Sequence, residues 1–289
     1  MRGHWLQLTE AWRELRAHTD YPVMVRELLG QAVAASVLLA ATLKFRGTLT
    51  FQLQGNGAVN LLVAQCTHDF RLRAVARYEA GQLPDVPREA EQGELFRRLV
   101  GDEGRVTVTV EAEERSLRYQ GVVPLEGSSL AGSLEAYFAS SEQLPTRVLL
   151  AADDRCIAGM LVQKLPEAGE GEMEQVSAAW EAAQRGIERL DRDDLLGQPI
   201  EQLLGQGFSG HDLRLFRGAP VRFECRCNAG RVAGLLRALG ADEVRDVLKE
   251  QGTVTVTCEF CQRPYRFDAV DVEALFQEGA ASSGSVVLH

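Results

Sequence analysis

"VRFECRCNAG" (residues 221–230) and "VTVTCEFCQRPYRFD" (residues 254–268) hold four of the chain's six cysteines, as Cys225-x-Cys227 and Cys258-x-x-Cys261. The CxxC spacing suits a zinc knuckle, a tight turn in which backbone N–H groups point at the sulfurs. Two such pairs flanking a short subdomain make a closed tetrahedral site of four thiolates. No histidine lies between residues 212 and 288, so Cys225, Cys227, Cys258 and Cys261 form the ligand set. Four thiolates around one Zn(II) sum to 4 × (−1) + 2 = −2. Arg222, Arg226, Arg263 and Arg266 lie nearby in sequence, where they offset that charge and favour thiolate over thiol.

The CxC half is unusual. Cα atoms two apart in an extended strand are separated by about 6.6 Å, near the upper limit for a disulfide. Cys225 and Cys227 can bridge only if the backbone leaves the strand conformation, and such a bond is strained and readily reduced. Two readings stay open. One is plain structural zinc; the other is a switch between a reduced metal state and an oxidised disulfide state. A thioredoxin-like dithiol fits poorly, because no compact βαβ setting surrounds CEFC and the second pair would be superfluous. Residues 221 to 276 number 56, a size at which a core alone contributes little net stability. Structural zinc in small peptides contributes about 10–16 kcal/mol, so the metal carries the fold of this unit.

Outward from that unit, 289 residues predict more than one domain. Apolar residues make up 45% and charged residues 25% of the chain, as in ordinary globular proteins. The formal charge, 31 − 41 = −10, argues against nucleic acid as the main partner, since phosphate binding needs a basic face. The N-terminal "MRGHWLQLTEAWRELR" has no continuous apolar stretch and no small-residue cleavage site, so no signal peptide is expected. The cytosol follows as the expected compartment, where paired cysteines point to metal or redox chemistry. The apolar run at 28–43 is shorter than the roughly 20 residues of a membrane span and reads as a buried helix, with no membrane partner.

The fold class reads as α+β: an N-terminal mixed α/β core domain with twisted β-sheets (1–166), a helical linker (167–220) and a small C-terminal zinc domain built on the four cysteines (221–289). A helix is expected from Asp20 to about Phe45. Strands are expected at 48–54, 59–65, 71–77, 105–112 and 116–123, a helix at 130–143 and a strand at 146–152. Alternation in several strands suggests sheets covered on one face. "GNGAVN" (55–60) lacks the third glycine of a phosphate loop and reads as a hairpin turn. In the linker, Val176, Trp180, Ala183, Ile187 and Leu190 form one helical stripe, followed by an apolar helical stretch at 195–208. The stripe packs on the core domain permanently, or it is buried conditionally. Helices near 229–239 and 242–250 and a strand at 253–257 complete the small unit. Cys66 and Cys156 read as small buried hydrophobes.

With these residues in view, the sequence resembles a known family. CxC, thirty residues, then "CEFCQRPYRF" is similar to the bacterial redox-regulated thirty-three-kilodalton heat-shock chaperones. "DYP" (20–22), "AATLKF" (40–45), "QLQGNG" (52–57), "YQGVVPLEG" (119–127) and "YFASSEQLPTR" (137–147) resemble that family's core-domain blocks in order and spacing. Members carry residues ahead of the segment matching "RGHWLQL", so the first strand and any dimer contact it makes are affected. The resemblance implies an ATP-independent holdase rather than an enzyme, inactive when reduced and bound to one zinc per chain. On oxidation, Cys225–Cys227 and Cys258–Cys261 disulfides form, zinc leaves, the linker loses structure and the protein acts as a homodimer. Val176, Trp180, Ile187 and Leu190 are then the candidate residues for binding unfolded or partly unfolded client proteins. A constitutive zinc-scaffolded interaction protein, or a zinc module serving an enzyme in residues 1–165, is the rival reading. The enzyme version lacks any convergent triad, carboxylate pair or cofactor motif.

Overall fold

A computed structural model of the chain describes residues 1–85, 92–113, 118–125, 127–166 and 173–281, with backbone alone at 92, 173–175 and 278–281. In chain order come β1 (Arg2–Leu8), α1 (Glu10–Arg16), α2 (Val23–Thr42), β2 (Gly47–Gln54), β3 (Val59–Thr67) and β4 (Arg71–Tyr78). Next are α3 (Gln92–Val100), β5 (Arg105–Ala112), β6 (Arg118–Pro124), α4 (Leu130–Tyr137), β7 (Thr146–Ala152) and β8 (Ile157–Gln163). Then follow α5 (Met173–Ile187), α6 (Arg192–Gly197), α7 (Ile200–Gly207) and β9 (Arg222–Phe223). The last elements are α8 (Ala229–Leu239), α9 (Ala241–Gln251), β10 (Val254–Thr257), β11 (Pro264–Phe267) and α10 (Ala269–Ala281). The chain divides into two compact units, Met1–Glu224 and Cys225–His289.

Helix α2 is the spine of the first unit. It is long and apolar enough to cross a membrane by length and composition, yet Val25, Leu29, Ala32, Ala34 and Ala35 are fully buried in the core. The expected start at Asp20 moves inward: Pro22 is the N-cap, and no side chain caps the helix. Tyr21 instead faces the sheet, its hydroxyl accepting from the Ala76 amide at 3.2 Å. On one side α2 covers a six-stranded sheet of order β6-β5-β2-β3-β4-β9. Along β2 the burial alternates, with Leu49, Phe51 and Leu53 pointing inward. This is the pleat of a sheet covered on one face, as expected from sequence. The turn at 55–58 joins β2 to the antiparallel β3, so "GNGAVN" is a hairpin turn.

The second sheet, order β1-β8-β7, departs from that expectation because it is covered on both faces. Every residue of the central strand β8 is buried. Ile157 and Leu161 join the core around α2, while Ala158, Met160 and Val162 join a second cluster with Ala183, Ile187, Leu190, Leu195, Leu203 and Phe208. Period-two side chains thus serve two different cores from one strand. α2 comes close because Gly30 has no side chain: a Cβ there would lie 2.6 Å from the Ala152 Cβ and 2.7 Å from Ile157 Cγ2.

Helices α5, α6 and α7 form the second cover. Asp191 caps α6 in a reciprocal capping box with Asp194. Arg192 Nη2 donates to the Ala152 carbonyl at 2.6 Å and to Glu27 at 3.1 Å. Gln7 Nε2 donates to the Leu196 carbonyl at 2.9 Å, and Arg147 pairs with Glu188 at 3.1 Å. Helices α5 and α7 cross at Gly186 and Gly207, where a Cβ on Gly186 would strike the Gly207 carbonyl oxygen. Residues 209–220 then run as an exposed strap without regular structure. Arg222 and Phe223, expected in the C-terminal unit, instead pair in parallel with Arg71 and Leu72 and so extend the six-stranded sheet. The second unit packs α8, α9 and α10 on the β10–β11 hairpin, around Val232, Ala233, Leu236, Val244, Val254, Phe267, Val272 and Leu275.

Gly186→Val forces α5 off α7. Overpacking of this kind costs about 1–3 kcal/mol, and hydrogen exchange is expected to rise across residues 176–208 while β2 and β3 keep wild-type protection. Unchanged exchange in α5–α7 would refute the crossing as the clamp of this cover.

Candidate metal centre

The two cysteine pairs come from different local structures. Cys225 and Cys227 lie in the irregular segment between β9 and α8, not in a strand. Asn228 follows at once and caps α8, its side chain accepting from the Arg231 amide at 2.9 Å. Cys258 and Cys261 occupy the turn between β10 and β11. The Cys258 amide donates to the Arg263 carbonyl at 3.0 Å, and the Gln262 amide donates to the Cys258 carbonyl at 2.8 Å. Gln262 adopts the left-handed conformation (φ 51°) that closes the turn.

The four sulfurs lie within 4.8 Å of one another. The close approaches run across the pairs: Cys225 to Cys258 at 3.6 Å and Cys227 to Cys261 at 3.4 Å. A tetrahedron with metal–sulfur bonds near 2.3 Å has edges of about 3.8 Å. The cluster therefore fits a soft divalent metal, and its separations are well beyond a disulfide bond. Among the described residues this is the group able to hold a metal ion. Cys261 is buried, and the other three are half-buried.

The electrostatics differ thiol by thiol. Burial pushes Cys261 up to about 12 and raises Cys225. Burial opposes ionisation at Cys227 too, but hydrogen bonds from Tyr265 and the neighbouring cysteines outweigh it and bring this thiol to about 7. Of the four arginines singled out in the sequence, Arg263 acts on both Cys227 and Cys261 through its charge. Tyr265 is the residue that sequence reading missed. It stands on β11 opposite Val256, and its hydroxyl donates to Cys227 Sγ at 3.1 Å. Cys66 and Cys156 are buried elsewhere in the first unit, where burial pushes them up to about 12 and about 11. Both behave as small apolar side chains.

Comparison with known proteins gives the family of the chain. The family model described as Hsp33 protein matches residues 1–268. This chain belongs to the Hsp33 protein family. The 33 kDa chaperonin of Nitrosococcus oceani is 41% identical over 278 residues, covering 96% of this chain and 91% of that one. The 33 kDa chaperonin of Chromobacterium violaceum is 38% identical over 290 residues, covering 100% and 94%. The crystal structure of the 33 kDa chaperonin (heat shock protein 33 homolog) of Thermotoga maritima shares the fold, with a TM-score of 0.80, 23% identity, and coverage of 96% and 95%. The α+β fold of this family is thus the fold of this chain.

The linker stripe also has a definite place. Ala183, Ile187 and Leu190 are buried against β7 and β8, and Trp180 is half-buried beside them. Val176 is half-buried at the start of the stripe. Residues 167–172 of the linker lie outside the described residues.

The reduced protein is expected to bind one Co(II) per chain with the intense visible bands of a tetrahedral tetrathiolate site. Cys261→Ser is expected to abolish tight binding. Stoichiometric metal retained by a variant lacking all four thiols would overturn the site.

Proposed function

We propose that this chain is a redox-regulated, ATP-independent holdase that binds unfolding proteins. The observation that carries this reading is the second cover of β8, an apolar cluster closed by short helices that precede a four-cysteine centre. In the reduced state Cys225, Cys227, Cys258 and Cys261 hold one zinc ion. Bound zinc supplies a cross-link that a core of eight side chains needs.

Oxidation acts on the sulfurs. Each pair, Cys225 with Cys227 and Cys258 with Cys261, is held as two thiolates and loses two electrons as its S–S bond forms, while solvent supplies two protons. A peroxide takes up both and departs as two waters. In the folded unit the nearest sulfurs belong to different pairs; once the metal has left and the unit opens, a bridge within a pair closes only a short loop, whereas a crossed bridge must close a loop of some thirty residues. Four sulfurs engaged in disulfides no longer serve as ligands, and residues 225–276 lose their cross-link.

The chain itself carries this loss toward the linker. Cys225 follows β9 by two residues, and β9 is held by a two-residue pairing with β4. Between residues 167 and 195 nine acidic residues face three arginines, so α5 and α6 depend on packing for their order. Their release uncovers Trp180, Ile187 and Leu190, with Val176 beside them, and also Trp5, Met160 and Val162 on the sheet. These surfaces are suited to apolar segments of unfolded clients. The protein works as a cytoplasmic homodimer, without catalysis of its own and without nucleic-acid or membrane partners. The rival, a constitutive zinc-scaffolded interaction protein, keeps the same client affinity in both redox states.

After peroxide treatment, peptide mapping is expected to find Cys225–Cys227 and Cys258–Cys261, and exchange and protease cleavage are expected to rise within 167–220 while residues 20–160 stay protected. Suppression of client aggregation should appear in the same samples. Identical exchange in 167–220 before and after oxidation, with activity still switched on, would place the client surface elsewhere. Trp180→Glu is expected to give partial activity in reduced protein.

A further inference from the structure

The hydroxyl of Tyr265 is directed onto one of the four sulfurs, with the charge of Arg263 acting on the same tyrosine. Tyr265 Oη donates to Cys227 Sγ at 3.1 Å, and the Arg263 guanidinium acts electrostatically on both that tyrosine and Cys227. A thiolate sulfur has no proton to give, so the single phenolic proton is the one that lies between Oη and Sγ. A cationic guanidinium beside the phenol favours Oη turning its lone pairs toward the charge and its proton toward Cys227. The ring does not swing freely, because Tyr265 packs against the small core beside Val254 and Phe267 and sits in register opposite Val256.

From this geometry we infer that Tyr265 is a positioning residue of the metal centre: oriented by Arg263, its hydroxyl donates to Cys227 Sγ and sets how tightly the centre retains its metal. Donation to a coordinated sulfur withdraws electron density from it and fixes its direction, so Cys227 is a different ligand from its three neighbours. Without the proton, Cys227 is left free to rotate and becomes the more nucleophilic sulfur toward oxidants. The inference rests on the reading of the four cysteines as a metal centre.

The test uses the full reduced chain, Co(II) as the probe, and the variants Tyr265→Phe and Arg263→Gln. Tyr265→Phe keeps the ring and its packing and removes the proton donor. It is expected to move the sulfur-to-cobalt charge-transfer band to longer wavelength and to weaken metal retention against a chromogenic chelator by about 10-fold or more. Arg263→Gln, at an exposed position, is expected to move both readouts in the same direction by less. An unchanged charge-transfer band and unchanged retention in Tyr265→Phe overturn the inference and leave the metal centre standing. A wild-type chain that takes up no Co(II) overturns both. If Tyr265→Phe fails to fold, Arg263→Gln decides: a wild-type band in that variant overturns the inference.

Discussion

β8 reaches water on neither face, and the rest of the first unit is arranged to keep it so. Its two covers are unequal. On one side stands a twenty-residue helix that also spans the six-stranded sheet and is buried along most of its length. On the other stand one helix of 15 residues and two of 6 and 8, held by a glycine crossing, a capping box and a few polar contacts to backbone carbonyls. Each fully buried aliphatic side chain contributes about 1.5–3 kcal/mol. The second cluster therefore has enough favourable burial to close the cover, with conformational entropy and crowded acidic charge opposing it. It is a cluster of its own, distinct from the main core around α2.

The C-terminal unit meets a different shortage. Eight buried apolar residues are few for a chain that must order three helices and a hairpin. The four sulfurs lie at the joint between the segment before α8 and the β10–β11 turn, so a metal there ties together parts distant in sequence. Such closure is most effective across long loops. The same sulfurs are the most oxidisable atoms in the unit, which places its stability and its chemistry in one cluster.

Much of this was legible in the chain. Cysteine spacing is local, so the grouping of the four thiols could be read directly, and the alternation in β2 marked a sheet with one covered face. β8 was not read because "IAGMLV" (157–162) is apolar without alternation; burial on both faces erases the period-two signal. β1 entered through the family resemblance alone: Trp5 and Leu6 face opposite sides, and Gly3, His4 and Gln7 dilute the alternation. Arg222 and Phe223 were placed in the wrong unit because a two-residue parallel pairing leaves no mark on sequence. Tyr265 escaped because its partner, Cys227, is brought to it by tertiary packing and cross-strand register rather than by proximity along the chain.

The period of β8 has a further consequence for how the gene encoding this chain can drift. Ile157 and Leu161 belong to the core around α2 and Met160 and Val162 to the cluster under α5–α7, with one backbone serving both. A single-residue insertion or deletion within the strand would exchange the two sets. Side chains that close the cover would then be aimed at α2, into the space that Gly30 leaves for Ile157. Point substitutions at Met160 or Val162 tune one cluster alone, whereas length changes scramble both at once. The two cores that β8 divides therefore constrain its length more tightly than the identity of any one of its side chains.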